Sequence, residues 1–171
     1  ALVELVNLHD PSLKFEPIHR VLFNIGEEFR QALLAYFEPH ILESPAATFE
    51  DMKDAVVDET RSGQSVGMIT PDMHYVLQFL DPDCNLPVGT LQEFLDHYIQ
   101  DHPEAEIDYV HGDDVLDKLA SEPGNIGFYL PPITKDNFFK TVILDGSLPR
   151  KTFSMGHARD KRFYLEARRI L

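Results

Sequence analysis

The chain has 171 residues, of which 43% are apolar and 26% charged, with a single cysteine. This composition predicts a globular domain with its own core, and it excludes a collagen-like repeat, a disordered chain and a disulfide-rich scaffold. The formal net charge of -14 argues against nucleic-acid and anionic-lipid partners, because an acidic surface repels both.

The expected cellular setting follows from the cysteine and from hydropathy. Cys84 has no partner for an internal disulfide, so we expect a cytoplasmic protein. No apolar run approaches the roughly 18 residues of a membrane span, and no membrane partner is expected. Because residue 1 is alanine and both ends are apolar, we expect residues 1–171 to be one domain cut from a longer protein.

Alternating apolar residues predict a series of short strands along the chain. They are expected at residues 2–8, 18–24, 65–69, 75–80, 107–110 and 126–130, with two more stretches near the C-terminus.

Five helices are predicted between the strands, from apolar residues at helical spacing and from capping signals. The third has the strongest signal, a Thr-Leu-Gln-Glu capping box at residues 90–93. For the fourth, we expect Asp113 or Asp114 to be the N-cap. In chain order the helices are expected from near Gly26, from about Phe49 to Gly63, from Thr90 to Pro103, after Asp114, and from Thr134 to Gly146. The alternation favours an α/β or α+β fold, with about five helices on a mixed sheet of six to eight strands.

Charge is unevenly distributed along the chain. Residues 140–171 carry 8 basic and 3 acidic residues, about +5, which leaves -19 on the other 139. Two interpretations remain open: basic edge strands lying across acidic neighbours, or a site for a small anionic ligand. The densest polar stretch, residues 148–162, offers side chains suited to phosphate or carboxylate. The candidate ligand-binding residues there are Lys151, Thr152, His157, Lys161 and Arg162.

A second candidate is the pair His19-Arg20, which lies within apolar sequence. In a strand the two side chains point to opposite faces, so we do not expect them to act on one atom. A buried arginine needs a partner, because an unpaired buried charge costs several kcal/mol. Arg20 therefore either pairs with an acidic residue of this chain or binds a ligand.

His111 is the third candidate, because it lies between a predicted strand and a predicted helix start. Free N–H groups at such a position favour anions, although an aspartate cap would compete for them. His111 and His19 are the candidate catalytic residues. No metal site is predicted, since residues 81–92 lack the glycine and glutamate of a calcium loop and the histidines lack helical metal-pair spacing.

Several segments spread over nearly the whole chain match a known family in order. They are Pro17-Ile18-His19-Arg20-Val21, Tyr109-Val110-His111-Gly112, Ile126-Gly127-Phe128, and residues 148–156 and 160–168. At these segments the sequence resembles a bacterial family known as domain-of-unknown-function family ten-fifteen. Members are longer, and their preceding region carries an Asp-Gly-His-His-Arg element like that of the ParB, sulfiredoxin and free-serine-kinase superfamily, which handles nucleotides. That element is absent here, so the resemblance implies that residues 1–171 are the C-terminal part of a longer protein, whose N-terminal region would be a partner.

The resemblance implies a nucleotide or phosphotransfer role for the intact protein, with a nucleotide and a divalent metal as its cofactors. We therefore expect this domain to bind a phosphate-bearing small molecule or nucleotide as part of a phosphotransfer enzyme. The alternative is a non-catalytic structural or dimerisation module of the parent protein, with a homodimer as its assembly.

Overall fold

The computed structural model describes Asn7, Asp10 and residues 14–156. The expected strand at residues 2–8 and the candidates His157, Lys161 and Arg162 lie outside this part. Within it, five helices and eight strands follow one another. They are β1 (Phe15–Pro17), β2 (His19–Phe23), α1 (Phe29–Phe37), β3 (Ile41–Ala46), α2 (Phe49–Val57), β4 (Gln64–Ile69), β5 (His74–Phe79), α3 (Pro87–Asp101), β6 (Glu106–Val110), α4 (Asp113–Ala120), β7 (Ile126–Tyr129), α5 (Lys135–Asp145) and β8 (Phe153–Met155).

Six of the strands form one sheet, in the order β3-β5-β4-β7-β2-β6, while β1 and β8 pair separately. Every described pairing is antiparallel, whereas a mixed sheet was expected. The predicted α+β class is confirmed. Within the described residues, no helix combines the length and the apolar composition needed to cross a bilayer.

Helices cover both faces of the large sheet, and neighbouring residues of each central strand enter different cores. On β2, Val21 packs with α2 and α4, whereas Leu22 packs with α1 and α3. Both side chains are fully buried. Because side chains alternate along a strand, a strand with apolar residues at every position needs helices packed on both faces of its sheet. Burying each such side chain stabilises the fold by about 1.5–3 kcal/mol.

Two predicted helix boundaries differ from the structure. The capping box at Thr90 is wrong, because α3 begins at Pro87 and the Thr90 hydroxyl donates to Gln64 Oε1 at 2.8 Å. Proline is favoured in the first helical turn, where its missing N–H costs nothing. The second helix ends at Val57 rather than Gly63. Gly63 instead has φ +77°, and a Cβ there would lie 2.0 Å from the Phe79 carbonyl oxygen, so the close approach of the two strands requires glycine.

The small sheet and α5 form a separate aromatic cluster. Phe138 of α5 lies 5.5 Å from Phe15 of β1 and 5.6 Å from Phe153 of β8, measured between ring centroids. Thr134 caps α5 by accepting from the Asn137 amide, and Gly146 ends it, as predicted. This cluster holds β1 beside the amino end of β2.

Candidate functional site

Three strand ends meet at one edge of the large sheet. β2 runs antiparallel to both β6 and β7, with His19 opposite Val110 and Arg20 opposite Phe128. The start of β2 therefore lies beside the ends of β6 and β7, which brings His19 and His111 together. They line a pocket of about 350 Å³, called here the histidine pocket. Its walls are Glu16, Pro17, His19, His111, Gly112, Asp113, Tyr129 and Pro132.

His19 is 1% exposed, and both of its ring nitrogens have partners. Its Nδ1 accepts the Leu130 amide at 3.1 Å, and its Nε2 lies 3.2 Å from Asp113 Oδ1. Because Nδ1 accepts a hydrogen bond, the ring proton belongs on Nε2, which donates to Asp113. The ring also stacks on Tyr129 at 4.9 Å. These contacts fix the tautomer and the orientation of the imidazole.

Asp113 links His19 to a lysine on α2. Its Oδ2 lies 2.7 Å from Lys53 Nζ. Hydrogen bonds from His19 and then from Lys53 lower the pKa of Asp113 from 3.8 to about 2, against the opposing effect of burial. The carboxylate thus stays ionised and stabilises the positive charge of Lys53.

The amino end of α4 opens on the same pocket. The prediction that Asp113 or Asp114 caps this helix is wrong: Gly112 is the N-cap, and no side chain caps the helix. Gly112 has φ +104°, and nothing lies within 4 Å of where its Cβ would be. Within the described part of the chain, the first-turn amides therefore have no side-chain acceptor, and they lie at the positive end of the helix dipole.

His111 pairs with an acidic residue from the small sheet. Its Nε2 is hydrogen-bonded to Glu16 Oε2, and both side chains are largely buried. A carboxylate bonded to one ring nitrogen orients the imidazole. This is the arrangement that a general acid or base requires.

Arg20 lies on the opposite face of the sheet and is fully buried. Its guanidinium donates four hydrogen bonds: Nε to Gln92 Oε1 at 3.1 Å, Nη1 to the carbonyls of Ile18 and Lys151, and Nη2 to the carbonyl of Arg150 at 2.8 Å. Among the described residues no carboxylate contacts it directly; Gln92 Nε2 instead donates to Asp96 at 2.7 Å. Burial lowers the pKa of Arg20 to about 10, so it remains charged at neutral pH.

Lys151 and Thr152 belong to the segment that Arg20 holds. Lys151 is exposed and has φ +53°, while the Thr152 hydroxyl donates to the Pro149 carbonyl at 2.6 Å. Neither they nor Arg20 line the histidine pocket. The structure thus brings together the two candidate histidines and separates them from these three candidates.

Sequence reasoning missed two residues of the pocket wall, Glu16 and Tyr129, and it also missed Lys53, which contacts the wall residue Asp113. Lys53 is on a helix that carries no motif, so only the tertiary contact with Asp113 reveals it. Glu16 precedes the Pro17–Val21 segment directly, a proximity that offered a weak signal.

Comparison with known families supplies the remaining identification. A family model described as "Protein of unknown function (DUF1015)" matches residues 1–98. The chain belongs to this family. No curated protein and no solved structure gives a significant match. The DUF1015 match ends within α3, so it includes Glu16, His19 and Lys53, whereas His111 and Asp113 follow it.

The resemblance implies a divalent metal. Among the described residues, no three histidine, cysteine, aspartate or glutamate side chains cluster to hold a metal ion. The described residues therefore do not fit such a metal.

Proposed function

We propose that this DUF1015 domain binds a small phosphate-bearing molecule in the histidine pocket, as part of a phosphotransfer enzyme. The observation that carries the proposal is the convergence of His19, His111 and Gly112 from distant segments on one pocket. In phosphoryl transfer the protein mainly positions groups and neutralises charge, which donors of this kind can do.

The phosphate would lie at the amino end of α4. No described side chain caps the first-turn amides, and the exposed backbone at Gly112 allows a close approach. Lys53 lies next to this end through Asp113. Glu16 and Asp113 also line the pocket and are acidic, so the α4 amides would bind the phosphate against their repulsion.

His111 is the proposed proton-transfer group, with Glu16 orienting it. The imidazole would take the proton of an acceptor hydroxyl while that oxygen forms its bond to phosphorus and the leaving oxygen departs with the electron pair. His19 is a positioning residue in this scheme, because Asp113 and the Leu130 amide already occupy both of its nitrogens.

The test is calorimetric titration of the full chain with inorganic phosphate, pyrophosphate and ATP. We expect His111→Gln to weaken binding at least tenfold, and we expect the matched control His97→Gln to have no effect. His97 is exposed on α3 and lines no part of the pocket. Absence of binding by all three probes, or equal binding by both variants, would contradict the proposal.

The alternative, a non-catalytic dimerisation module, is favoured by the outer surface of α5. Ile143 is 80% exposed, and Phe139 and Leu144 are more than half exposed. Apolar side chains grouped on one helix mark interaction surfaces. Under this alternative, sedimentation equilibrium would show a dimer that Ile143→Asp dissociates, while Leu42→Asp, at another exposed apolar position on β3, would leave it intact.

A further inference from the structure

Tyr129, the last residue of β7, lines the histidine pocket but has no part in the hydrogen bonds described there. The residue is 6% exposed. Its ring stacks on His19 and meets the ring of Phe49 edge-on, at 6.1 Å between centroids. We infer, on the basis of the function proposed for this pocket, that the Tyr129 hydroxyl donates a hydrogen bond to the bound phosphate and is a specificity-determining residue of the site.

The hydroxyl of Tyr129 makes no hydrogen bond with any described residue. In the described part of the chain, Tyr109 alone has a side-chain oxygen that is both sealed from solvent and unpaired. The Tyr129 hydroxyl has no partner either, so it must keep some accessible surface, and the residue lines the histidine pocket. Polar groups of side chains buried to this extent normally have partners, so this hydroxyl is available to a ligand in the pocket.

The hydroxyl lies near the amino end of α4. Burial raises the pKa of Tyr129, and the carboxylate of Asp113 raises it further, against the opposing charge of Lys53. Asp113 is the first residue of α4, so a group that senses its charge is close to the first-turn amides. Because its pKa is raised, the phenol keeps its proton at neutral pH and can act as a donor.

A neutral donor suits an anion in this pocket. Glu16 and Asp113 line the same walls and repel a phosphate. Both oxygens of Asp113 already have partners, Nε2 of His19 and Nζ of Lys53. The Tyr129 hydroxyl would therefore add a donor to the α4 amides, and hydrogen bonds to a charged acceptor are the stronger kind. Since His19 and Phe49 already hold the ring, little conformational freedom is lost when the ligand binds.

The first experiment is calorimetric titration of the full chain with inorganic phosphate. Tyr129→Phe removes only the hydroxyl and keeps a ring against His19 and Phe49, and we expect it to weaken binding about tenfold. The matched control is Tyr109→Phe, which removes another unpaired hydroxyl from a residue that does not line the histidine pocket. It should leave phosphate affinity unchanged. Without phosphate, Tyr129→Phe should unfold in urea with the free energy of the native chain, because its hydroxyl has no described partner to lose.

The second experiment observes the hydroxyl directly, by NMR of the full chain labelled with ¹³C at the ζ carbon of tyrosine. This carbon carries the hydroxyl, so its chemical shift responds to hydrogen bonding there. The signal that disappears in Tyr129→Phe belongs to Tyr129. We expect phosphate to shift it in a saturable way, with the midpoint found by calorimetry, while the signal of Tyr109 stays in place.

The outcomes separate this inference from the proposed function. If His111→Gln weakens phosphate binding but Tyr129→Phe does not, the role of the hydroxyl is refuted and the proposed phosphate site stands. If Tyr109→Phe weakens binding equally, or if Tyr129→Phe is clearly less stable without phosphate, the hydroxyl is not acting on the ligand and the inference is overturned. If the native chain binds no phosphate, the proposed function fails and the inference fails with it.

Discussion

His19 and Arg20 are adjacent on β2, yet they lie in two different polar clusters. His19 faces α2 and α4 and borders a pocket of about 350 Å³. Arg20 faces α3, where backbone carbonyls and Gln92 take its hydrogen bonds. Both side chains are almost completely buried. The difference shows that burial of a polar residue does not by itself indicate a ligand site, because both residues are bonded within the chain and only His19 borders a pocket.

The largest expected effect comes from removing the Arg20 guanidinium. Arg20→Met would leave the carbonyls of Arg150 and Lys151 without their donor inside the protein. We expect a loss of about 3–5 kcal/mol in the free energy of unfolding, measured by urea denaturation. Arg20→Lys keeps the charge but not the fork of donors, and it should recover only part of the loss. If both variants were as stable as the native chain, Arg20 would not hold the 149–152 segment.

On the other face of the large sheet, His19→Phe keeps an aromatic ring at this position but removes both ring nitrogens. The Leu130 amide then loses its acceptor and Asp113 loses one donor. We expect about 2 kcal/mol of destabilisation, because the cost is mainly that of one buried unsatisfied amide. Tyr129 can still stack on the new ring, so the substitution isolates the hydrogen bonds. A change below about 0.5 kcal/mol in urea denaturation would contradict this account.

Asp113→Asn tests the same cluster through its pH dependence. A folded-state pKa of about 2 against an ordinary 3.8 means that the ionised carboxylate stabilises the fold above pH 4. This contribution is lost as the pH falls towards 2. Because the side chain is 35% exposed, we expect only about 1 kcal/mol. The difference in unfolding free energy between the native chain and the variant should be constant from pH 7 to about 5 and vanish near pH 2. A difference that grew on acidification would show the opposite sign.

The smallest effect on stability is expected for His111→Gln. The pair with Glu16 is partly accessible to solvent, so its loss should cost about 0.5 kcal/mol in urea denaturation. The same substitution should weaken phosphate binding at least tenfold, which separates a ligand-directed role from a structural one. Glu16→Gln is the matched variant, and it should lower the affinity for phosphate less than His111→Gln does. A large loss of stability with unchanged binding would place His111 with Arg20 among the structural residues.

Local patterns predicted much of the secondary structure but little of the site. Strands β2, β4, β5, β6 and β7 were predicted because apolar residues mark them. The prediction of β2 as a strand also placed His19 and Arg20 on opposite faces, as the structure has them. β3 was missed because Pro45 and Glu43 interrupt its apolar pattern; both are tolerated on an edge strand, where Glu43 bonds with Arg30.

The meeting of His19 with His111 could not be predicted, because it depends on which strands pair. Long-range packing selects which antiparallel strands become neighbours, so the order of the strands in the sheet cannot be seen in the sequence. The same holds for Lys53, whose contact with Asp113 joins two helices over the sheet. Whether Arg20, Lys151 and Thr152 also meet a ligand stays a prediction, as it does for His157, Lys161 and Arg162.

The connection from β7 to α5 has a position with wider consequences. Pro132 borders the histidine pocket and also a cavity of about 500 Å³ that Val56, Arg61 and Pro87 help to line. One loop residue therefore forms part of the wall of both cavities. Changing the length of this loop would reshape the two together, and neither could be altered there independently.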